Sequence, residues 1–116
     1  MPLSVSTSEQ AGRVVLDLVG PVDLGTLPTW HGALTGLVAD HPGRALAVDL
    51  DGVSVLDDTM LGTLLGATVA ARDSGGSLSV ICSRPSLLAR LASTGVDRLL
   101  EVEPAAGPGT TGSTRP

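Results

Sequence analysis

The sequence predicts a single-domain α/β protein with a mixed, mostly parallel sheet of about five strands packed with helices. Three observations lead to this prediction. The chain has 116 residues, the usual size of one domain. Short apolar segments with strand patterns alternate with segments at helical spacing, in the order β-β-α-β-α-β-α-β. Hydrophobic residues make up 42% of the chain, enough for a core, although Trp30 is the single aromatic residue.

Two short strands open the chain. Residues 3–7 alternate apolar or threonine side chains with serines, which indicates an edge strand. Residues 13–19 form the second strand, and Gly20–Pro21 is expected to end it. The apolar face of this second strand consists of Val14, Leu16 and Leu18, and Asp17 lies on the other face.

Helical spacing predicts the first helix over residues 24–39, with Thr26 as its N-cap. Its apolar stripe comprises Leu27, Trp30, Leu34, Leu37 and Val38. Residues 45–50 are then almost continuously apolar, which is typical of a strand in a sheet covered on both faces. Asp49 and Asp51 are interpreted as turn residues before the following glycine.

The second half of the chain repeats this alternation. The second helix extends to about Arg72, and its predicted buried face comprises Leu61, Leu64, Leu65, Thr68 and Val69. Residues 77–82 form the next strand, the third helix ends at Gly95, and residues 99–102 form a last short strand. The buried stripe of the third helix comprises Leu87, Leu88 and Leu91.

The end of the chain has a different composition. Residues 104–116 are rich in Gly, Pro, Ser and Thr and carry too little apolar surface to order themselves. The sequence therefore predicts one domain over residues 1–103 and a disordered C-terminal tail over residues 104–116.

Composition excludes several classes of function. The formal net charge is −5 and lysine is absent, so no basic cluster is present for nucleic acid or an anionic membrane. The absence of lysine also removes Schiff-base chemistry and the Walker A phosphate loop. Cys82 is the single cysteine, which excludes a disulfide within the chain, and it is interpreted as a small core residue. With no signal-peptide pattern and no membrane-spanning run, a cytoplasmic location is expected.

Adjacent carboxylates stand at the junction before the second helix. Asp57 is predicted to be the N-cap and Asp58 to lie in the first turn, where the helix dipole favours an anion. Sites in parallel sheets gather at the carboxyl ends of the strands. The loops at residues 20–23 and 57–59 are therefore expected to meet at one edge of the sheet.

Catalytic and metal-binding interpretations of these carboxylates have less support in the sequence. A general acid/base pair has to straddle its substrate, which adjacent residues at a helix start do not do. A magnesium site formed by Asp23, Asp57 and Asp58 lacks phosphate-binding glycines and a lysine. The sequence therefore predicts no catalytic residue, no metal ligand and no cofactor. His31 and His41 are interpreted as solvated, and the same interpretation, or complementing of helix dipoles, is given to Arg84, Arg90 and Arg98.

The order of three segments resembles a known family. They are G-P-V-D, S-V-L-D-D-T-M-L-G-T-L-L-G and G-G-S-L-S-V-I-C-S-R-P-S-L-L-A-R-L-A-S-T-G-V-D. Together they are similar to the STAS domain of bacterial anti-sigma factor antagonists, over residues 3–103. The family hallmark is D-S-S-G-L-G or a close variant, which Asp57, Thr59, Leu61 and Gly62 match. Asp23 matches the acidic residue of the family's G-x-[LIV]-D loop.

The resemblance implies a binding function rather than catalysis. Proteins of this type bind an anti-sigma factor that is a serine-protein kinase of the GHKL type, and so free its sigma factor. The kinase phosphorylates the first Ser or Thr after the aspartate, and the added charge breaks the complex. The residues that the resemblance assigns to partner binding are Asp23, Asp57, Asp58, Thr59, Met60, Leu61 and Gly62.

The chain departs from the family pattern at the switch itself. Asp58 occupies the phosphoacceptor position, and a carboxylate cannot accept phosphate as a serine does. It carries about one negative charge, where phosphoserine carries about −1.5 to −2. Thr59 is the candidate for modification in its place. Met60 replaces the usual small glycine and is expected to add bulk where the partner docks.

Three hypotheses follow from this departure. In the first and favoured one, the protein binds an anti-sigma partner and escapes control by phosphorylation at residue 58. In the second, it is a decoy that binds a different protein or binds weakly. In the third, it is a STAS module that recognises a nucleotide or other small anion at the same loops. Whether the domain forms a homodimer stays open at this point.

Overall fold

The structure, a computed structural model, describes residues 2–104 and shows a five-stranded sheet with three α-helices in that range. The elements are β1 (Ser4–Gln10), β2 (Arg13–Val22), α1 (Leu27–Asp40), β3 (Ala45–Leu56), α2 (Leu61–Asp73), β4 (Ser77–Ile81), α3 (Pro85–Ser93) and β5 (Glu101–Glu103). Single 3-10 turns at Leu24–Thr26 and Asp58–Met60 precede α1 and α2, and a third follows α3 at Val96–Arg98. The predicted fold class and element order are confirmed. The predicted tail lies, apart from Pro104, outside the described residues.

The strands lie in the order in which they occur along the chain. β1 pairs with β2 antiparallel, and β2, β3, β4 and β5 pair successively in parallel. Right-handed crossovers between successive neighbouring strands place every connecting helix on the same face of the sheet. One buried cluster accordingly joins Trp30 of α1, Leu64 of α2 and Leu91 of α3 to Leu16 and Val48 of the central strands.

The opposite face of the sheet carries no helix among the described residues, so the expectation that β3 is covered on both faces is wrong. Its apolar run alternates large residues toward the helices with Ala47 and Asp49 toward the open face. Ala47 is buried there with Val15 and Ile81 in a small separate cluster. Small or polar residues at every second position suit a face that only neighbouring side chains cover.

An ion pair spans the open face from β2 to β5. Arg13 bonds Glu103 through two hydrogen bonds, with Nη1–Oε2 at 3.0 Å, and Nη1 also donates to Ser79 at 3.4 Å. The arginine lowers the pKa of Glu103 below its usual value. This pair ties the short last strand to the centre of the sheet.

Both central strands are longer than predicted. β2 continues through Gly20–Pro21 to Val22, and β3 continues past Asp49 and Asp51 to Leu56, so those residues do not form turns. β2 and β3 stay paired to their ends because β3 contains one extra residue relative to β2 at each of two register shifts. Asp51 is instead a connector: its carboxylate accepts hydrogen bonds from the backbone of Ser83 and Arg84, at 2.7 and 3.3 Å.

Helix boundaries follow their predicted signals, whereas some predicted buried positions are wrong. Gly95 has φ +78°, the left-handed conformation expected of a residue that ends a helix. Val69 and Leu88, assigned to buried stripes, are 54% and 37% exposed, because each lies toward the solvent edge of its helix. Cys82 is buried in the core as predicted, and burial raises the pKa of its thiol. No helix within residues 2–104 is both long enough and apolar enough to cross a membrane.

The close approach of β2 and β3 makes Gly52 a sharp test of this fold. A Cβ at Gly52 would lie 2.5 Å from the carbonyl oxygen of Leu18, a backbone atom that cannot move aside. We expect Gly52→Ala to lower the free energy of unfolding by about 1–3 kcal/mol in urea titrations. Gly66→Ala in α2 is the control, since a Cβ there meets nothing within 4 Å. It should raise stability by about 1 kcal/mol, and equal losses in both variants would contradict the close approach.

A carboxylate pair on the open face predicts a pH effect. Burial, together with the charges of Asp17 and Asp51, raises the pKa of Asp49 above its usual 3.8. The contribution of Asp49 to stability is therefore complete below its usual pKa and is lost as the pH rises through the raised value. We expect Asp49→Asn to raise the melting temperature at pH 7 and to leave it unchanged below pH 3.

The matched control for that variant is Glu101→Gln at the exposed first position of β5, which should leave the melting temperature nearly unchanged at either pH. A destabilised Asp49→Asn variant at pH 7 would contradict the interpretation.

Candidate functional site

The carboxyl ends of β2 and β3 bring the two acidic loops together, as the sequence predicts. Val22 and Leu56 are paired at the ends of these strands. The next residue, Asp57, donates its backbone N–H to the carbonyl oxygen of Val22 at 2.9 Å. Asp23 and Asp57 thus each follow one member of the last pair between the strands.

Asp23 is held in place by a reciprocal cap. Its carboxylate accepts from the backbone N–H of Thr26 at 3.1 Å, and the Thr26 hydroxyl accepts from the backbone N–H of Asp23 at 3.1 Å. The same hydroxyl donates to the carbonyl oxygen of Pro21 at 2.8 Å. Thr26 makes no side-chain cap to α1, because the 3-10 turn displaces the start of that helix. Thr26 does occupy the N-cap position of α1, as predicted, but its side chain belongs to the capping box of the 3-10 turn, whose N-cap is Asp23.

Asp57 caps the turn before α2, which confirms the predicted N-cap. One oxygen of its carboxylate, Oδ1, accepts from the backbone N–H of Thr59 at 3.0 Å and from the Thr59 hydroxyl at 2.9 Å. These hydrogen bonds, with a smaller contribution from the charge of Arg90, lower the pKa of Asp57. Asp57 is therefore ionised at neutral pH, and the Thr59 hydroxyl is committed as its donor.

Asp58 binds an arginine from another helix. Its Oδ1 lies 2.8 Å from Nη1 of Arg90, in the last turn of α3. The Asp58 side chain is 57% exposed and that of Arg90 is 45% exposed. Sequence reasoning treated Arg90 as solvated, and no local pattern joins residues 32 positions apart.

Met60 and Leu61 face the core rather than the solvent, with exposed fractions of 2% and 3%. The prediction that Met60 adds bulk to a docking surface is therefore wrong. The 3-10 turn directs it inward, where its carbonyl oxygen accepts from Nε1 of the fully buried Trp30 at 3.2 Å. Gly62 is exposed, and a Cβ there would meet nothing within 4 Å.

We call the surface that remains at this place the acidic edge. It consists of Asp23, Asp57, Asp58, Thr59 and Gly62. Two apolar side chains flank it and were not predicted: Leu24, 70% exposed, and Val55, 54% exposed. Leu24 follows Asp23 directly, and Val55 pairs with Pro21. A sequence signal existed for Leu24, since it is an apolar residue at the start of a helix, ahead of the buried stripe.

The carboxylates of the acidic edge are all engaged within the chain. Asp23 binds Thr26, Asp57 binds Thr59, and Asp58 binds Arg90. Across residues 2–104, no group of three or more His, Cys, Asp or Glu side chains is placed to hold a metal ion. A mostly apolar groove of about 600 Å³ runs beside the edge, between α1 and α2, and includes Gly62 and Gly66 in its lining.

Comparison with protein families gives one match. The model of the STAS domain family matches residues 4–107 of the chain. An anti-sigma factor antagonist from Mycobacterium paratuberculosis has a similar structure, with a TM-score of 0.79 and 25% identity over 89% of this chain and 86% of that one. No curated protein sequence gives a significant match.

Two more distant structures share the fold. A putative anti-sigma factor antagonist from Thermotoga maritima gives a TM-score of 0.74 at 14% identity, covering 85% of each chain. The unphosphorylated anti-sigma factor antagonist SpoIIAA, from Bacillus, gives 0.70 at 14% identity, covering 88% of each chain.

The cap at Asp57 can be tested by stability measurements. Asp57→Ala removes the acceptor of both Thr59 hydrogen bonds and should lower the urea midpoint, whereas Asp57→Asn keeps an acceptor oxygen and should lower it less. Because the pKa of Asp57 is lowered, its contribution is present above the usual aspartate pKa and is lost as the pH falls. The midpoints of wild type and Asp57→Ala should therefore converge at low pH, and a constant difference at every pH would contradict the cap.

Proposed function

The chain belongs to the STAS domain family, and from this premise we propose that it is an anti-sigma factor antagonist. In this proposal it binds a kinase-type anti-sigma factor of the GHKL class through the acidic edge and thereby releases a sigma factor in the cytoplasm. It acts by binding, with no substrate turned over.

The observation that carries the proposal is the hydrogen bond from Asp57 to Val22, which holds the two family-matching loops side by side. Internal caps fix Asp23 and Asp57 before any partner arrives. A preordered surface loses little conformational entropy on binding, which favours a protein-docking role. The likeness to the mycobacterial antagonist, at 25% identity over most of both chains, supports the same role.

Exposed apolar side chains beside the acidic edge suit a protein partner. Leu24 and Val55 offer exposed apolar contact at either side of the carboxylates, which a protein partner can bury. In this proposal the partner supplies apolar contacts to them and hydrogen-bond donors to the free carboxylate oxygens.

Regulation in this proposal does not act through phosphorylation of the acidic edge. Asp58 stands at the position where the family carries its acceptor hydroxyl, and a carboxylate is not a substrate for a serine kinase. Thr59 does carry a hydroxyl, but that hydroxyl donates to Asp57 at 2.9 Å. Partner binding is then set by other means, such as the amount of protein produced.

Recognition of a nucleotide or other small anion is the less favoured function. Helix N-termini attract anions when their backbone N–H groups are free. Here Asp57 already occupies the N–H of Thr59, and Asp58 adds a second carboxylate to the same turn. Both carboxylates oppose the approach of an anion.

Binding to purified kinases tests the proposed function. Each GHKL-type anti-sigma kinase encoded in the genome of the source organism is titrated with the chain in biolayer interferometry, with and without its sigma factor. We expect saturable binding to one kinase and release of its sigma factor. Absence of binding to every kinase would contradict the function.

Intact mass after incubation with that kinase and ATP tests the regulatory part. We expect no phosphate on the wild type and one phosphate on Asp58→Ser, because the serine restores a hydroxyl at the acceptor position. The control is Asp73→Ser at the opposite end of α2, which should remain unmodified. Phosphate on Thr59 of the wild type would contradict independence from phosphorylation.

A further inference from the structure

We infer that Arg90 is a charge-compensating residue for partner binding: it pairs with Asp58 in advance, so that a protein partner can cover this carboxylate without supplying a cation of its own. This inference rests on the proposed function and names a residue that the family pattern does not include.

The geometry of the pair is specific. Nη1 of Arg90 lies 2.8 Å from Oδ1 of Asp58, within the range of a strong charge-assisted hydrogen bond. Three other arginines of the described residues are engaged elsewhere: Arg13 pairs with Glu103, Arg44 pairs with Glu9, and Arg84 donates to the carbonyl oxygen of Val53. Of the three salt bridges within residues 2–104, only that between Arg90 and Asp58 includes a residue of the acidic edge.

An unpaired carboxylate weakens binding when a partner covers it. A partner that covers it removes its water, and the loss of hydration opposes binding unless a cation or several donors replace that water. Arg90 already occupies one oxygen of Asp58 and cancels its charge. With the pair formed, a partner that covers Asp58 meets a neutral arginine–carboxylate unit rather than an isolated anion.

The solvent exposure of the Arg90–Asp58 pair indicates that the pair matters for binding rather than for the stability of the fold. Both side chains are about half exposed, and ion pairs with such exposure contribute little to the stability of a folded protein. Arg90 also lies in the last turn of α3, where a cation complements the helix dipole, but that role does not require Asp58. If Arg90 acts by pairing with Asp58, its effect on partner binding depends on the residue at position 58. A helix-dipole role would give no such dependence.

A double-mutant cycle on binding to the anti-sigma kinase identified above tests the inference. Arg90→Ala in the wild type leaves Asp58 uncompensated and should weaken binding about tenfold, with the loss arising mainly in the dissociation rate. Arg90→Ala in the Asp58→Asn background should have a much smaller effect, because the side chain that Arg90 hydrogen-bonds is no longer charged. The melting temperatures of all variants are measured alongside, and we expect them to agree closely.

Arg72→Ala is the matched control. Arg72 lies in the last turn of α2, at the end of that helix far from the acidic edge. Its replacement removes the same charge from the protein and should leave kinase binding unchanged, so a loss with this variant would indicate an effect of net charge and overturn the inference.

The remaining outcomes are also decisive. If the wild type binds and Arg90→Ala binds equally well, the inference fails and the proposed function stands. If Arg90→Ala weakens binding equally with Asp or Asn at position 58, Arg90 contacts the partner directly and the pairing role is wrong. If the wild type binds no kinase, the proposed function and the inference fail together.

Discussion

The hydrogen bond between the backbone of Asp57 and Val22 is the constraint on which the candidate site depends. It exists because two register shifts change the pairing of β2 with β3 along their length. Val14 faces Leu46 near the start, and Val22 faces Leu56 at the end, so β3 has gained two residues on its partner. In an unshifted ladder Val22 would face Ser54, and Asp57 would lie about 7 Å further along the strand, away from Asp23. Gly52, whose missing Cβ admits the Leu18 carbonyl, belongs to this irregular region.

Each carboxylate of the acidic edge has a partner within the chain. The partners are of three kinds: the Thr26 backbone for Asp23, the backbone and hydroxyl of Thr59 for Asp57, and the Arg90 guanidinium for Asp58. These hydrogen bonds hold the carboxylates in fixed positions on the surface. A rigid surface with apolar neighbours is consistent with a function based on binding.

Local sequence patterns predict a structural feature correctly where that feature depends on a single helix, strand or turn. The strand and helix order, the cap at Asp57 and the helix end at Gly95 each follow from a few adjacent residues, and all three are confirmed. The continuation of β3 through Asp51 was not predictable, because a ladder with extra residues is stabilised by its partner strand rather than by local preference. The inward direction of Met60 depends on Trp30, and the role of Arg90 depends on how the crossovers place α3 beside α2. Neither relation leaves a trace in the spacing of residues along the chain.

If the acidic edge is a docking face for another protein, binding must slow amide hydrogen exchange there. The direct test is to measure amide hydrogen exchange of the chain with and without the anti-sigma kinase. The account predicts slower exchange in the complex over residues 20–26 and 57–62. Exchange should stay unchanged in the hairpin at residues 8–13, which lies at the opposite end of β2 from the acidic edge. Protection confined to that hairpin or to the open face of the sheet, with exchange at the acidic edge unaltered, would contradict docking at the acidic edge.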